Sequence, residues 1–164
     1  MLNDKTIVVT GAASGIGAET VAHLKRCGAK VIGVDRYFTD QVDELIVGDL
    51  SEISSIDKII EQMPEDIDGV ANIAGLPPTA PSSLVLKVNF LGLRYFTNNI
   101  VNKMSDGASI VNLASLAGFG WADQLDQVKQ LIKLNLNDDI EAFCEEHELN
   151  EAGGRSYFLS KEAL

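Results

Sequence analysis

A glycine-rich segment near the start of the chain has the residue types that bind a phosphate. Residues 10–17 read T-G-A-A-S-G-I-G and directly follow the apolar, β-branched run T-I-V-V. Glycines let the chain turn tightly and let its backbone approach a pyrophosphate without an intervening Cβ. The helical pattern that follows would point unpaired N–H groups at that anion. The segment therefore predicts the phosphate-binding corner of a dinucleotide fold, although a turn that serves only packing is the alternative.

A carboxylate at the end of the next apolar run has the position of a ribose ligand. Asp35 lies 18 residues after Gly17, close to the spacing of about 20 that is typical of dinucleotide folds. Its two oxygens can accept hydrogen bonds from both ribose hydroxyls and would repel a 2′-phosphate, which favours NAD. Arg36 can pair with a 2′-phosphate instead, so NADP is the alternative cofactor.

Strand and helix patterns alternate along the chain as they do in βαβ folds. A third short strand is predicted to end at 47–50, followed by a helix at 54–63, a fourth strand at 67–75 that runs into a turn, and a loop at 76–81. One long helix then follows at 84–104, and a fifth strand at 108–115. These elements predict an α/β fold, a Rossmann-type doubly wound parallel sheet in the order 3-2-1-4-5, within a single domain that spans residues 1–164.

Composition narrows the possible functions. The 164 residues fit one domain with a sizeable core, since 46% are hydrophobic. A net charge of −11 argues against nucleic acid or an anionic membrane as a partner. Cys27 and Cys144 form no CxxC motif, and His23 and His147 lie in no cluster of metal ligands, so no metal site is predicted. The two cysteines are expected to be reduced thiols in a cytoplasm, and neither a signal peptide nor a long apolar run is present.

Motifs spread over the whole chain resemble those of the short-chain dehydrogenase/reductase family. A Y-x-x-x-K pair alone occurs often by chance, but its conjunction with a G-x-x-x-G-x-G corner is hard to obtain otherwise. In chain order, the resemblance rests on residues 10–17, Asp35, Asp49, the N-I-A-G segment 72–75, Asn89, Ser115 and the Y-F-L-S-K segment 157–161.

The resemblance implies an NAD-dependent oxidoreductase that interconverts a secondary alcohol and a ketone. It implies that the cofactor is bound by the following residues: Gly11, Ser14, Gly15, Ile16, Gly17, Asp35, Arg36, Asp49, Leu50, Asn72, Ala74, Gly75, Tyr157 and Lys161. Asp49 is expected near the adenine edge, and Lys161 at the nicotinamide ribose. An NADP-dependent carbonyl reductase of the same family is the near alternative.

The resemblance also implies catalytic roles for four residues. Tyr157 and Lys161 are four positions apart, so a helix places them on one face. A phenol with a pKa of about 10 is a poor base at neutral pH, but a neighbouring ammonium and a nicotinamide cation favour the phenolate. Tyr157 would then exchange the alcohol proton, Ser115 would hydrogen-bond the substrate oxygen, and Asn89 would hold a water that connects Lys161 to solvent.

The stretch between Ser115 and Tyr157 is longer than in most members of this family. The 41 intervening residues include an acidic insertion, about 119–154, with two apolar stripes at helical spacing. Two short helices that pack on each other or on a partner subunit are expected. This insertion and the proline-containing loop after the fourth strand resemble the bacterial 3α-hydroxysteroid dehydrogenase/carbonyl reductase branch, which suggests a hydroxysteroid or a small carbonyl compound as substrate.

Family members continue beyond the position of Leu164 through two further strands and a substrate-binding loop. We therefore expect this sequence to be the ordered part of a longer, homo-oligomeric protein. A form of only 164 residues is expected to be poorly soluble or oligomeric and inactive, because its fifth strand would be an exposed edge. If 164 residues were the whole product, a non-catalytic NAD-binding or interaction module would be the alternative.

Overall fold

The computed structural model describes residues 1–151 and 153–164. The chain forms two compact units. Unit one comprises Met1–Asp49, Ser54–Ala74 and Phe96–Leu113, and unit two comprises Leu50–Ile53, Gly75–Tyr95 and Ala114–Leu164.

Unit one is built around a five-stranded parallel sheet. Its strands are β1 (Thr6–Thr10), β2 (Lys30–Asp35), β3 (Glu44–Val47), β4 (Ile67–Asn72) and β5 (Met104–Asn112). They lie in the order β3-β2-β1-β4-β5, so the predicted order is confirmed. Val8 of the central strand β1 is paired with Ile32 of β2 and Val70 of β4. The α/β fold with a Rossmann-type sheet is therefore as expected.

Helices α1 (Gly15–Arg26) and α2 (Ile53–Gln62) follow β1 and β3 in the chain. Val21 of α1 is fully buried and joins Val9 and Val31 of the sheet in one apolar cluster. This cluster explains why the first strands are nearly continuous apolar runs, since a parallel sheet is normally covered on both faces.

Strands β3, β4 and β5 each end three residues before their predicted ends. β3 ends at Val47, and a Cβ on the following Gly48 would come within 2.5 Å of the Ile59 side chain. β5 begins four residues earlier than predicted and ends at Asn112. The reason is pairing with β4, because Asn112 is in register with Asn72, where β4 itself ends.

An apolar groove of about 560 Å³ lies on one face of the sheet within unit one. Its apolar walls come from α1 and from strands β1, β4 and β5, and include Ile7, Ile16, Leu24, Ala71, Ile73 and Val111. Val111 is 63% exposed there. Lys5, Asp68 and Asp106 also line the groove.

Unit two is largely helical. Its elements include α3 (Ser82–Leu86), a π-helical turn (Lys87–Gly92), a 3-10 turn (Leu116–Gly118), α5 (Leu125–Lys133), α6 (Ile140–Glu146) and α7 (Arg155–Glu162), while α4 (Leu93–Ile100) begins in it. The long helix predicted at 84–104 corresponds to a segment that is helical without a break from Ser82 to Lys103, but it is not one regular α-helix. It contains the π-helical turn, ends in a 3-10 segment (Val101–Lys103), and is followed by β5 at Met104. The π-helical turn holds the buried Asn89, which needs polar partners at that position.

The predicted insertion contributes two helices, α5 and α6, neither of which belongs to the sheet. α5 packs against α7, and α6 packs against α3. Position 152, inside the predicted insertion, lies outside the described residues. Among residues 1–151 and 153–164, every helix is too short or too polar to cross a lipid bilayer.

Candidate functional site

The glycine turn between β1 and α1 uses its three glycines for different physical reasons. Gly11 has a φ of +72°, and a Cβ there would lie 2.8 Å from the Ala74 backbone. A Cβ on Gly17 would lie 1.8 Å from the carbonyl oxygen of Gly11, so only glycine permits this close approach of α1 to the turn. Gly15 has a φ of +53°, but a Cβ there would meet nothing within 4 Å. The space beside Gly15 is therefore open to a ligand.

The start of α1 fits a pyrophosphate group. Ser14 is the N-cap residue, yet its side chain makes no capping hydrogen bond, and it is exposed. The first N–H groups of a helix have no partner within the helix. Ile16 is also exposed, at 60%. The residues present thus offer a hydroxyl, helix N–H groups and a glycine with open space, which is the donor set that a dinucleotide phosphate needs.

Asp35, at the end of β2, is fixed beside the glycine turn. Its Oδ2 accepts a hydrogen bond from the Ala13 N–H (2.9 Å), and its Oδ1 accepts one from the Tyr37 N–H (3.0 Å). Each carboxylate oxygen has two lone pairs, so both oxygens can still accept a ribose hydroxyl. The predicted ribose ligand is therefore held in place by the turn that is predicted to bind the phosphates.

Arg36 forms an ion pair with Asp49, which follows β3. Arg36 Nη1 lies 3.6 Å from Asp49 Oδ2, and the Arg36 guanidinium carbon lies 5.7 Å from the centre of the Tyr37 ring. The backbone N–H of Asp49 donates to Ser55 Oγ (2.7 Å). Two residues of the predicted cofactor set are thus in direct contact within unit one.

The ends of β1 and β4 are linked by a buried hydroxyl. Thr10 Oγ1 accepts hydrogen bonds from the N–H groups of Ile73 (3.0 Å) and Ala74 (3.1 Å). The Asn72 side chain is also buried, and its Nδ2 donates to Thr97 Oγ1 (3.0 Å) and Asn112 Oδ1 (2.8 Å). Asn72 therefore links the end of β4 to α4 and to β5 through hydrogen bonds. The sequence motif did not indicate this role.

Unit two contains Leu50, Gly75 and all four predicted catalytic residues. Tyr157 and Lys161 share one face of α7, as predicted, with the lysine Nζ 5.9 Å from the centre of the Tyr157 ring. Burial lowers the pKa of the Lys161 ammonium below its usual value. Leu50 is buried, whereas Gly75 is exposed.

Ser115 is the N-cap residue of the 3-10 turn. Its Oγ accepts a hydrogen bond from the Ala117 N–H (3.1 Å), which leaves the hydroxyl proton available for donation. The 3-10 turn packs against α7. A Cβ on Gly118 would lie 2.5 Å from the carbonyl oxygen of Lys161, so glycine permits this close approach. The packing places the segment after Ser115 against the helix that carries Tyr157 and Lys161.

Asn89 is anchored on both sides of its carboxamide. Its Oδ1 accepts from the Leu76 N–H (2.7 Å), and its Nδ2 donates to the Leu76 carbonyl (3.0 Å) and to Ser160 Oγ (3.4 Å). The Ser160 hydroxyl in turn donates to the Tyr157 carbonyl (2.7 Å). Both Nδ2 protons are therefore used, and one Oδ1 lone pair remains for the predicted water.

Three further residues position α7, and the sequence reasoning missed them. Arg155 Nη2 lies 2.6 Å from Glu162 Oε2, and the Glu162 side chain is only 4% exposed. Arg155 Nη2 also donates to Gln127 Oε1 of α5 (2.6 Å). The seven-residue spacing of Arg155 and Glu162, two turns of a helix, was the available signal.

Comparison with known proteins identifies the family. The family model described as short chain dehydrogenase matches residues 5–127. The chain belongs to the short-chain dehydrogenase family. A relative in this family, the coniferyl-alcohol dehydrogenase of Pseudomonas sp. (strain HR199 / DSM 7063), is 49% identical over 131 residues, covering 79% of this chain and 51% of the relative.

Two other short-chain dehydrogenases match nearly the whole chain. One is the crystal structure of the 3-alpha-hydroxysteroid dehydrogenase from Pseudomonas sp. B-0831 complexed with NADH, with a TM-score of 0.77 and 28% identity over 97% of this chain and 62% of that one. The other, 3-alpha-hydroxysteroid dehydrogenase/carbonyl reductase of Comamonas testosteroni, is 27% identical over 96% of this chain and 62% of its own length. The predicted resemblance to this branch is confirmed. The chain spans about half to three fifths of the length of these relatives.

Proposed function

We propose that this chain is part of an NAD-dependent oxidoreductase that interconverts a secondary alcohol and a ketone, with a hydroxysteroid or a small carbonyl compound as substrate. The observation that carries the proposal is α7, which presents Tyr157 and Lys161 on one face, with the lysine Nζ 5.9 Å from the phenol ring centre. The 3-alpha-hydroxysteroid dehydrogenase relative supports oxidoreduction of a secondary alcohol, and the coniferyl-alcohol dehydrogenase relative supports alcohol oxidoreduction more broadly.

When bound, the nicotinamide ring supplies the hydride acceptor or donor. Tyr157 takes the alcohol proton at its phenolate oxygen, or returns it in the reductive direction. The positive charge of Lys161 favours that phenolate, and the same ammonium binds the nicotinamide ribose. Ser115 uses its free hydroxyl proton to hydrogen-bond the substrate oxygen and to stabilise the negative charge that develops there.

A proton leaving Tyr157 needs a route to solvent. We assign this route to Lys161 and to a water held by the remaining lone pair of Asn89 Oδ1. The supporting observation is that the other polar positions of the Asn89 side chain are bonded to Leu76 and Ser160, which fixes the direction of that lone pair.

Of the two proposed substrate classes, the exposed side chains after Ser115 favour the hydroxysteroid, which has a large apolar body. Leu116, Phe119 and Trp121 follow Ser115 closely in the chain and are 92%, 88% and 51% exposed. Large apolar side chains exposed together are typical of binding surfaces. Relatives named for coniferyl alcohol and for 3-alpha-hydroxysteroids support a ring-containing alcohol.

NAD is the proposed cofactor because the Asp35 carboxylate, fixed at the glycine turn, would repel a 2′-phosphate. The alternative, an NADP-dependent carbonyl reductase, rests on the neighbouring Arg36. We further propose a cytoplasmic homo-oligomer that binds neither nucleic acid nor membranes. The net charge of −11 supports the proposal that it binds neither nucleic acid nor membranes. The exposed Leu125 and Ile132 of α5 support a contact between subunits.

Calorimetric titration tests the cofactor assignment without requiring turnover. NADH is expected to bind at least tenfold more tightly than NADPH, and Asp35→Ala is expected to reduce this difference in affinity. Asp40→Ala, a change at an exposed acid five residues later, serves as the control and should leave the difference in affinity between NADH and NADPH unchanged. Tighter binding of NADPH than of NADH to the parent chain would contradict the proposal.

A further inference from the structure

The ion pair between Arg36 and Asp49 places a carboxylate against the side chain best placed to bind a 2′-phosphate. Arg36 Nη1 and Asp49 Oδ2 are 3.6 Å apart, and both side chains are partly exposed, at 41% and 34%. The guanidinium also lies over the Tyr37 ring, 5.7 Å from its centre. Arg36 is therefore held by two contacts: the ion pair with Asp49, which follows β3, and the contact with the ring of the neighbouring Tyr37.

The charges around Arg36 disfavour a further anion. Asp49 contributes a negative charge beside the guanidinium, and Asp35 is the residue before Arg36 in the chain. The Asp35 carboxylate is already bonded to the Ala13 and Tyr37 N–H groups, so it does not move away easily. A 2′-phosphate that approached Arg36 would have to displace Asp49 and would be repelled by both carboxylates.

We propose that Asp49 is a positioning residue that holds Arg36 in an ion pair and so withholds it from the 2′-phosphate of NADP. This inference rests on the proposed nicotinamide cofactor. Asp35 excludes the 2′-phosphate by repulsion, whereas Asp49 acts on Arg36, the residue that would otherwise accept it. Arg36 is thus a residue that could bind a 2′-phosphate, but its ion pair with Asp49 keeps it from doing so.

The test is the ratio of the dissociation constants of NADPH and NADH, measured by calorimetry. Because the two ligands differ only in the 2′-phosphate, any effect of Asp49 on adenine binding cancels in this ratio. Asp49→Asn removes the charge and frees Arg36, so the ratio should fall about two- to fivefold, as expected for a partly exposed ion pair. Adding Arg36→Ala to Asp49→Asn should restore the parent ratio or exceed it.

Two matched variants separate this mechanism from a general charge effect. Asp49→Glu keeps a carboxylate that can reach Arg36, and its ratio should stay within about twofold of the parent value. Asp40→Asn removes one exposed negative charge from the same loop, and its ratio should not change. A fall in the ratio with Asp40→Asn as large as that with Asp49→Asn would overturn the proposal.

The remaining outcomes are distinguishable. An unchanged ratio in Asp49→Asn, or a fall that persists when Arg36→Ala is added, overturns the role of Asp49 and leaves the proposed function standing. A parent chain that binds neither NADH nor NADPH contradicts the proposed function, and the inference falls with it.

Discussion

Arg155 and Glu162 are paired across two turns of α7, and the pair brackets Tyr157 and Lys161. Arg155 Nη2 and Glu162 Oε2 are 2.6 Å apart, and the Glu162 side chain is 4% exposed. The same guanidinium reaches Gln127 on α5. The helix that carries the proposed acid–base pair is therefore tied to the predicted insertion.

Arg155→Ala should destabilise the chain by about 2–3 kcal/mol, because it leaves a buried carboxylate without its charge partner. Lys87→Ala is the matched control. Lys87 pairs with Glu141 at 3.4 Å, but Glu141 is 60% exposed, so that loss should cost less than about 1 kcal/mol. Urea unfolding of both variants measures the difference, and equal costs would show that the Arg155–Glu162 pair adds nothing beyond a surface contact.

Tyr157→Phe should lower turnover by about 10²- to 10⁴-fold in a preparation that oxidises an alcohol with NAD, because the phenol oxygen exchanges the proton. Its affinity for NADH should not change. Lys161→Ala should lose turnover and also weaken NADH binding, since the lysine has both roles. Steady-state kinetics and calorimetry give the two readouts. Near-native turnover in Tyr157→Phe would make the acid–base assignment wrong.

Gly17→Ala and Gly15→Ala should differ sharply in their effect on stability. A Cβ on Gly17 would lie 1.8 Å from the Gly11 carbonyl oxygen, so the turn must open, at a cost of at least about 3 kcal/mol. A Cβ on Gly15 meets nothing within 4 Å, and only its φ of +53° opposes alanine, at about 1 kcal/mol. Urea unfolding followed by circular dichroism compares them, and equal costs would contradict this explanation of the turn.

Cys144 should be unreactive in the folded chain. It is 1% exposed, and burial raises the pKa of its thiol from 9.0 to about 11. A disulfide reagent at pH 8 should modify the half-buried Cys27 first and Cys144 only after unfolding. Rapid modification of both thiols in the native chain would be inconsistent with this burial.

The same thiol should affect stability at high pH. Between pH 9 and about 11 the unfolded state binds fewer protons at Cys144 than the folded state, so the free energy of unfolding falls as pH rises. Below pH 9 this contribution to the pH dependence is absent. Cys144→Ala should reduce the decline over that interval by about 2 kcal/mol. An identical decline in Cys144→Ala and the parent would contradict the assigned cause.

The sheet and the glycine turn could be predicted from the sequence because they depend on local patterns. The apolar β-branched runs indicate the strands, and the three glycines indicate the place of the phosphate corner. The pairing of Tyr157 and Lys161 on one face follows from helix geometry alone. Each of these features is determined within a few residues of sequence.

The missed features depend on contacts between distant residues. The π-helical turn exists where buried Asn89 bonds to Leu76, thirteen residues earlier, and no periodicity in 84–104 reports that pairing. Likewise, the boundary of β5 is set by its register with β4. The ion pair of Arg36 with Asp49 joins the loop after β2 to the residue after β3, so neither motif alone indicated it.

The groove on the β1, β4 and β5 face has a practical consequence for spectroscopy. A concave apolar surface of about 560 Å³ is large enough to hold a fluorescent dye of the kind used to detect partly unfolded proteins. Such dyes should therefore fluoresce with the native chain, and their signal would overstate its disorder. Thermal melts of this protein are better followed by circular dichroism or by the fluorescence of its single tryptophan, Trp121.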